Sequence, residues 1–266
     1  MTLFGIINLS LSPSELTGVL EGEYSMPMVV LSILLSIMAS YVTLEISRKI
    51  SVAEDIVNKS AWLWSGAAVL GAGVWAMHFI GMMAFILPVP VAYDVPITLV
   101  SIVPVVLACY LALWVISRKT VNAMHIAVGG VFFGAGIGSM HYIGMFAMKS
   151  SAIMYFRVDM LLASVVGAVV LAALSISTRF VLANKLGQDN PVLSSLIGSV
   201  VMGAAIATMH YVAMRASVFC EGGEFSGFIG GAYVELLSAG TSFISILLGL
   251  AVVLASELSP KRAGVK

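Results

Sequence analysis

The sequence predicts an all-α integral membrane protein with seven transmembrane helices. Hydrophobic residues make up 60% of the 266 residues and charged residues only 10%, whereas about a quarter of the residues in a soluble domain are charged. Seven apolar stretches are long enough, or nearly so, to cross a bilayer, since a spanning helix needs about 20 residues. The stretches are unbroken rather than alternating, which argues against a barrel of strands.

The predicted spans follow one another with charged or turn-forming residues between them. They cover residues 26–46, 62–87, 97–117, 124–148, 160–178, 192–214 and 233–256. This divides the chain into an N-terminal extracytoplasmic tail (1–25), a membrane domain (26–256) and a cytoplasmic C-terminal tail (257–266). The first tail contains no Lys or Arg, so it lacks the basic region of a cleavable signal peptide and we expect it to be retained.

The distribution of Lys and Arg predicts the orientation of the chain. With the N-terminus outside, the inner loops and the C-terminal tail hold ten basic residues and the outer loops hold three. The sequence therefore predicts an N-out, C-in topology, in which the second, fourth and sixth spans run from inside to outside. No cluster of basic residues is large enough to suggest nucleic-acid binding.

A twelve-residue motif occurs three times, once in each even-numbered span. Its copies are GAGVWAMHFIGM (71–82), GAGIGSMHYIGM (134–145) and GAAIATMHYVAM (203–214). The spans before them end in the related sequences LEISRK, WVISRK and LSISTR. These similarities predict three helix-pair repeats and a closing seventh helix, with a site near the repeat axis. We expect the three motif histidines to share one layer in the outer leaflet.

Each motif presents imidazole and thioether groups together. Residues four apart share a helix face, so each histidine pairs with the methionine four residues later, and the preceding methionine lies on the flank. The candidate metal ligands are His78, His141, His210, Met77, Met140, Met209, Met82, Met145 and Met214. Thioether sulfur selects Cu(I), and imidazole suits copper in either oxidation state. No Asp or Glu lies near the motifs, which disfavours Ca²⁺ and Mg²⁺, so a copper ion is the predicted cofactor.

Small residues lie seven positions before and three positions after each histidine. The pairs are Gly71 and Gly81, Gly134 and Gly144, and Gly203 and Ala213. We expect them to allow close helix packing, which small residues favour in membranes. A structural role for the motif stays open, because membrane histidines can hydrogen-bond across helices and methionine is a common apolar filler. His125 lacks the rest of the motif and is expected to be an interfacial histidine.

The repeats resemble the MHYT domain, a bacterial integral-membrane sensor module named for a Met-His-Tyr-Thr motif. This chain has MHFI, MHYI and MHYV, so the Met, His and aromatic positions match. Ile80, Ile143 and Val212 stand at the threonine position, and we assign them no polar role. The resemblance covers nearly all of residues 26–256. It implies a seven-helix sensor of the bacterial cytoplasmic membrane whose motif residues bind copper and so sense a diatomic gas such as O₂, CO or NO.

The same resemblance bears on the partners of the chain. Family members often carry cyclic-di-GMP synthesis or hydrolysis domains, or a kinase, after the membrane part. This chain continues for only about ten residues after the last predicted span, to Lys266. The expected partners are therefore a separate signalling output protein, the lipid bilayer and a small gas ligand.

The predicted function is a non-enzymatic membrane sensor of gas or redox state, and three alternatives stay open. A copper transporter or metal-handling protein would fit the internal repeats, although no second ligand cluster lies towards the inner face. A haem-binding membrane protein would use His and Met as axial ligands. A purely structural membrane protein is the third. Hydrolytic catalysis is disfavoured, because no Ser/His/carboxylate or paired acidic set lies near the histidines.

Overall fold

The fold is a bundle of membrane-spanning helices with short strands at one end. The computed structural model describes residues 2–3, 7–10, 16–52, 56–118, 121–185, 190–222, 237, 239–244, 246–248, 250–251 and 254. Within these residues, six helical segments are long and apolar enough to cross a membrane. The predicted helical membrane architecture is therefore confirmed for the first six spans. The inside-outside orientation stays a prediction.

The helices agree closely with the predicted spans. They are α1 (Met26–Val52), α2 (Ile56–Ala84), α3 (Val95–Val100), α4 (Ile102–Ile116), α5 (Ala123–Ala147), α6 (Val158–Lys185) and α7 (Pro191–Met214). The predicted seventh span, 233–256, lies largely outside the described residues. Within it, the described residues 239–244 and 246–248 are helical.

Two boundaries of the predicted spans differ in an informative way. The second span was expected over 62–87, but α2 begins at Ile56 and ends at Ala84, because Phe85–Ile86 forms a strand instead. The third span is divided into α3 and α4 at Ser101. Pro104 explains this division, since its ring clashes with the carbonyl four residues earlier and it has no N–H to donate.

The spans form a closed ring in chain order. α1 packs on α2, α2 on α4, α4 on α5, α5 on α6, α6 on α7, and α7 returns to α1. The three motif helices α2, α5 and α7 also contact one another, so they lean into the middle of the ring. α2 is the most enclosed, with 78% of its most apolar stretch buried against 28% for α6. The exposed apolar side chains of α6, such as Val166 and Val170, face outward, as expected of a surface in contact with lipid.

Short strands cover the end of the ring where the motif helices terminate. They are β1 (Thr2–Leu3), β2 (Ile7–Ser10), β3 (Val19–Leu20), β4 (Glu23–Tyr24), β5 (Phe85–Ile86), β6 (Val91–Tyr93), β7 (Met148–Ser150), β8 (Ile153–Arg157) and β9 (Ser217–Cys220). They form a five-stranded sheet in the order β1-β2-β8-β9-β3 and two pairs, β4-β5 and β6-β7. We call these strands the cap. The sequence analysis predicted only a tail and loops here.

Glycines at the start of each motif allow the helices of the ring to pack closely. A Cβ on Gly134 would lie 2.7 Å from backbone atoms of Ala168 and Val169 on α6. A Cβ on Gly203 would lie 2.6 Å from the backbone of Ile37 on α1, and one on Gly71 would lie 2.5 Å from the Val106 side chain on α4. The predicted packing role of these glycines is thus confirmed.

We expect Gly134→Ala to destabilise the protein by about 1–3 kcal/mol, the usual cost of overpacking. Backbone atoms of α6 occupy the space that the new methyl group needs, and they cannot rotate away as a side chain could. Gly167→Ala on α6 is the matched control, because no atom lies within 4 Å of a Cβ there. Thermal unfolding in detergent measures both variants, and equal unfolding temperatures would contradict the packing argument.

Candidate metal centre

The bundle places the three motif histidines at one depth. α2, α5 and α7 are alternate spans and therefore run in the same direction. His78 and His141 lie six residues before the ends of their helices, and His210 lies four residues before the end of its helix. At 1.5 Å per residue this is roughly 6–9 Å along the helix axes. All three rings therefore lie in one layer, directly beneath the cap.

The three imidazole rings meet in the middle of the ring of helices. Nδ1 of His78 lies 3.1 Å from Nδ1 of His210 and 3.2 Å from Nδ1 of His141. The ring centroids of His141 and His210 are 5.2 Å apart. His78 and His141 are 0% exposed and His210 is 1% exposed. Each histidine offers one ligand nitrogen, and the three nitrogens lie within 4.8 Å of one another.

The hydrogen-bonding capacity of the rings does not fit this arrangement. A neutral imidazole has one N–H and one lone pair, so Nδ1 of His78 cannot donate to one neighbour and accept from the other. The three Nε2 atoms are buried and have no hydrogen-bond partner among the described residues. Buried polar atoms without partners cost free energy. An ion held by the Nδ1 atoms would relieve the conflict at Nδ1, whereas the Nε2 atoms of His78 and His210 face Gly144 and Gly81 of neighbouring helices.

Two glycines bring the rings close to the neighbouring helices. A Cβ on Gly144 of α5 would lie 2.3 Å from Nε2 of His78, and one on Gly81 of α2 would lie 2.4 Å from Nε2 of His210. The sequence analysis assigned these glycines, three residues after each histidine, to helix packing. The structure confirms close packing at Gly81 and Gly144 and shows that the close neighbour is an imidazole of an adjacent motif.

The six motif methionines are all buried. Met77, Met140, Met209, Met82, Met145 and Met214 are each at most 4% exposed and belong to the apolar core. This position is compatible with ligands and equally with core packing. Their role as ligands stays a prediction.

An aromatic layer separates the histidines from the cap. Each motif aromatic residue packs against its own histidine, and each also contacts one aromatic ring of the tail or loops. The three outer contacts are Phe79 with Tyr93, Tyr142 with Phe156 and Tyr211 with Tyr24, at centroid distances of 5.8, 5.6 and 5.8 Å. The sequence analysis missed these outer partners, because Tyr24 and Phe156 lie in segments that have no motif. The layer is expected to keep water from the rings.

Hydroxyl groups of the aromatic layer hold two motif helices to their neighbours. The Tyr142 hydroxyl lies 2.6 Å from Ser164 Oγ on α6, and the Tyr211 hydroxyl lies 2.7 Å from Ser32 Oγ on α1.

In the cap, burial is the main cause that raises the pKa of Tyr24 to about 12. The Tyr24 hydroxyl therefore stays protonated at neutral pH.

The donor set fits a soft metal ion. Imidazole nitrogens about 2.0–2.1 Å from a bound metal, as for zinc, are held about 3.3–3.6 Å apart, close to the Nδ1–Nδ1 distances of 3.1 and 3.2 Å. A metal would accept the lone pairs that the rings cannot satisfy among themselves. The nearby methionines and the absence of Asp and Glu from the motifs favour copper over hard cations.

The fourth histidine lies apart from this cluster. His125 is in the first turn of α5, where its backbone N–H donates to the Asn122 side chain. Its Nε2 lies 2.6 Å from an Arg118 guanidinium nitrogen. His125 therefore belongs to the opposite end of the bundle, as the sequence predicts.

The fold and the site define a class: a multi-pass helical membrane protein with a buried three-histidine cluster built from an internal repeat. Residues 71–129 and 134–188 match the MHYT family, described as a bacterial signalling protein N-terminal repeat. The chain belongs to this family. It is a signalling module of the bacterial cytoplasmic membrane. No solved structure matches it.

Curated relatives are signalling proteins. The chain is 34% identical over 196 residues to the signaling protein YkoW of Bacillus subtilis. The aligned residues cover 74% of this chain and 24% of YkoW. It is 32% identical over 234 residues to the bifunctional diguanylate cyclase/cyclic di-GMP phosphodiesterase MucR of Pseudomonas aeruginosa, covering 88% of this chain and 33% of the relative. It is 33% identical over 195 residues to the cyclic di-GMP phosphodiesterase NbdA of the same organism, with coverages of 73% and 24%. The chain thus spans a quarter to a third of these proteins.

Proposed function

We propose that the protein is a membrane sensor in which His78, His141 and His210 hold a copper ion, with motif methionines as further ligands. The observation that carries this proposal is that Nδ1 of buried His78 lies 3.1 and 3.2 Å from Nδ1 of His210 and His141, with one ligand nitrogen of each ring within 4.8 Å of the other two. Bound copper would supply a binding position for O₂, CO or NO, or a one-electron change of oxidation state. Gas or redox state is therefore the proposed signal.

The chain's own residues have distinct parts in this proposal. The histidines hold the ion, and Gly81 and Gly144 give their rings room. The aromatic layer excludes water, so that only small or membrane-soluble ligands reach the centre. Each histidine is on a different helix, so a change in ligation would shift α2, α5 and α7 relative to one another.

The signal is proposed to pass to a separate output protein. The names of MucR and NbdA state enzymes of cyclic di-GMP metabolism, so an enzyme of that kind is the partner we would test first.

Elemental analysis and spectroscopy of the purified protein test the copper proposal. We expect protein from copper-supplemented cells to contain copper at near-stoichiometric levels and to show no Soret band. Absence of copper, together with failure to bind added Cu(I), would overturn the proposal. A Soret band would instead indicate haem.

A further inference from the structure

Three buried serines lie at the depth of the histidine cluster, on the spans that surround it. They end three equivalent heptapeptides, MPMVVLS (26–32), VPITLVS (95–101) and VDMLLAS (158–164). Each heptapeptide starts with the first residue of α1, α3 or α6, at the cap end, so its serine lies roughly 9 Å into the bundle. Ser32 and Ser101 are 0% exposed and Ser164 is 2% exposed. These serines therefore belong to the internal repeat and share the layer of the imidazole rings.

The three serines use their hydroxyl protons in the same way. Each Oγ donates to the backbone carbonyl oxygen three residues earlier, and each of these distances is 2.7 Å. The pairs are Ser32 with Val29, Ser101 with Thr98 and Ser164 with Leu161. Because a hydroxyl has only one proton to donate, each serine oxygen must accept in any further hydrogen bond.

Two of the serines accept a hydrogen bond from a motif tyrosine. The oxygen–oxygen distances are 2.7 Å between Tyr211 and Ser32 and 2.6 Å between Tyr142 and Ser164. Since the serine protons are already used, the tyrosine hydroxyls are the donors. Their direction is thus fixed: both tyrosine protons point to a neighbouring span.

The remaining serine has an equivalent partner, although the first motif has no tyrosine. Phe79 stands at that position and carries no hydroxyl group. The indole N–H of Trp75, one helical turn earlier on α2, donates to Ser101 Oγ at 3.1 Å and to Thr98 O at 3.0 Å. Each motif helix is therefore joined to a neighbouring span by an aromatic donor and a serine acceptor.

The aromatic side chains held by the serines pack against the histidine cluster. The rings of Tyr211 and Tyr142 lie edge-to-face on those of His210 and His141, with centroid distances of 4.8 and 4.9 Å and interplanar angles of 80° and 85°. Such contacts favour one relative orientation of the two rings. The third connection has two steps, Trp75 to Phe79 at 4.8 Å and Phe79 to His78 at 4.7 Å.

We propose that Ser32, Ser101 and Ser164 are positioning residues of the metal centre: each sets the orientation of one motif imidazole through the aromatic side chain that it holds. As a statement about metal binding this rests on the proposed function, but the orientation of the rings can be measured without a metal. The same hydrogen bonds would pass a movement of a histidine to the neighbouring span.

Nuclear magnetic resonance of the imidazole rings in the metal-free protein tests this proposal. The chain has only four histidines, so their Cε1–H signals can be assigned by replacing one histidine at a time. We expect Ser32→Ala to displace the signal of His210 and Ser164→Ala to displace that of His141. The signal of His125, at the opposite end of the bundle, should stay in place in both variants.

Ser101→Ala should have a smaller effect, on His78. The indole N–H of Trp75 keeps its bond to Thr98 O in this variant, whereas the tyrosines lose their serine partner. The expected order of displacements therefore follows from the hydrogen bonds. Natural signal positions in Ser32→Ala and Ser164→Ala would overturn the proposal.

Ser36→Ala is the matched control for Ser32→Ala. Ser36 is also 0% exposed and lies one turn further along α1, where its hydroxyl donates to Gly203 O of α7 at 2.9 Å. Both variants thus remove a hydrogen bond between α1 and α7, and both should lower the unfolding temperature. Only Ser32→Ala should displace the His210 signal. Equal displacement in the two variants would reduce Ser32 to a helix-packing residue and overturn the proposal.

Tyr211→Phe removes the same hydrogen bond from its other side, and it provides the test if Ser32→Ala does not fold. We expect it to displace the His210 signal as well. The double variant should show no larger displacement than either single variant, because one bond is lost in all three. Displacements that add would show that Tyr211 and Ser32 act on His210 separately, against the proposal.

Copper affinity connects ring orientation to metal binding. Ser32→Ala is expected to weaken Cu(I) binding about three- to tenfold, the effect of one hydrogen bond, and Ser36→Ala should not change it. Unchanged affinity beside a displaced His210 signal would overturn a positioning role in the metal centre. Failure of the natural sequence to bind copper would instead overturn the proposed function, and the imidazole signals would still show whether the serines orient the rings.

Discussion

His78→Ala is expected to lower copper affinity by more than about 100-fold. His78 is the ring that contacts both others, through Nδ1 distances of 3.1 and 3.2 Å. In the proposed site, removing it takes away a direct ligand, which should cost more than the roughly 10- to 100-fold that follows loss of a ligand's hydrogen-bond partner. Competition with a Cu(I) chelator of known affinity measures the change.

Two further variants separate loss of the ligand from loss of the fold. His78→Met keeps a soft donor on α2 and should bind copper more tightly than His78→Ala. His125→Ala removes the histidine outside the cluster and should bind copper as the natural sequence does. A folded His78→Ala protein with unchanged copper affinity would show that the cluster is not the metal site.

Gly144→Ala is expected to disturb the metal centre without removing a ligand. The new methyl carbon would lie 2.3 Å from Nε2 of His78, so the ring must move by about 1 Å to reach ordinary contact distance in a densely packed interior. We expect copper affinity to fall about 10- to 100-fold, the Cu(II) paramagnetic resonance spectrum to change and stability to fall by about 1–3 kcal/mol. Gly81→Ala should act in the same way through His210.

Gly138→Ala is the matched control for this experiment. Gly138 lies on the same helix as Gly144, but no atom is within 4 Å of a Cβ at that position. Alanine is favoured over glycine in a helix by about 1 kcal/mol, so this variant should be equally or more stable and should keep its copper spectrum. If Gly144→Ala and Gly138→Ala gave the same spectrum, the glycine would not position the ring.

The sequence predicted the meeting of the histidines because the relevant information is local and repeated. Three copies of one motif at similar distances, four to six residues, from the ends of parallel helices lie at about one depth, and the small residue seven positions earlier brings each helix close to its neighbour. The role of Gly81 and Gly144 could not be predicted in the same way. This role depends on which helix each imidazole faces. That direction follows from the rotation of each helix about its own axis in the bundle.

The cap could not be predicted from the sequence for a different reason. Its pairing is between distant segments: Asn8 of β2 pairs with Tyr155 of β8, and Val19 of β3 pairs with Cys220 of β9. The strands are two to five residues long, too short for an alternating pattern to stand out.

The pairing of β3 with β9 affects how α1 and α7 are held together. Around the ring, α1 and α7 are the neighbours that no direct connection joins, since they come first and last among the described spans. β3 precedes α1 and β9 follows α7. Their backbone hydrogen bonds therefore link the ends of these two helices within the cap. Separation of α1 from α7 would therefore have to break the β3–β9 hydrogen bonds. Separation of any other pair of neighbouring helices would leave these hydrogen bonds intact.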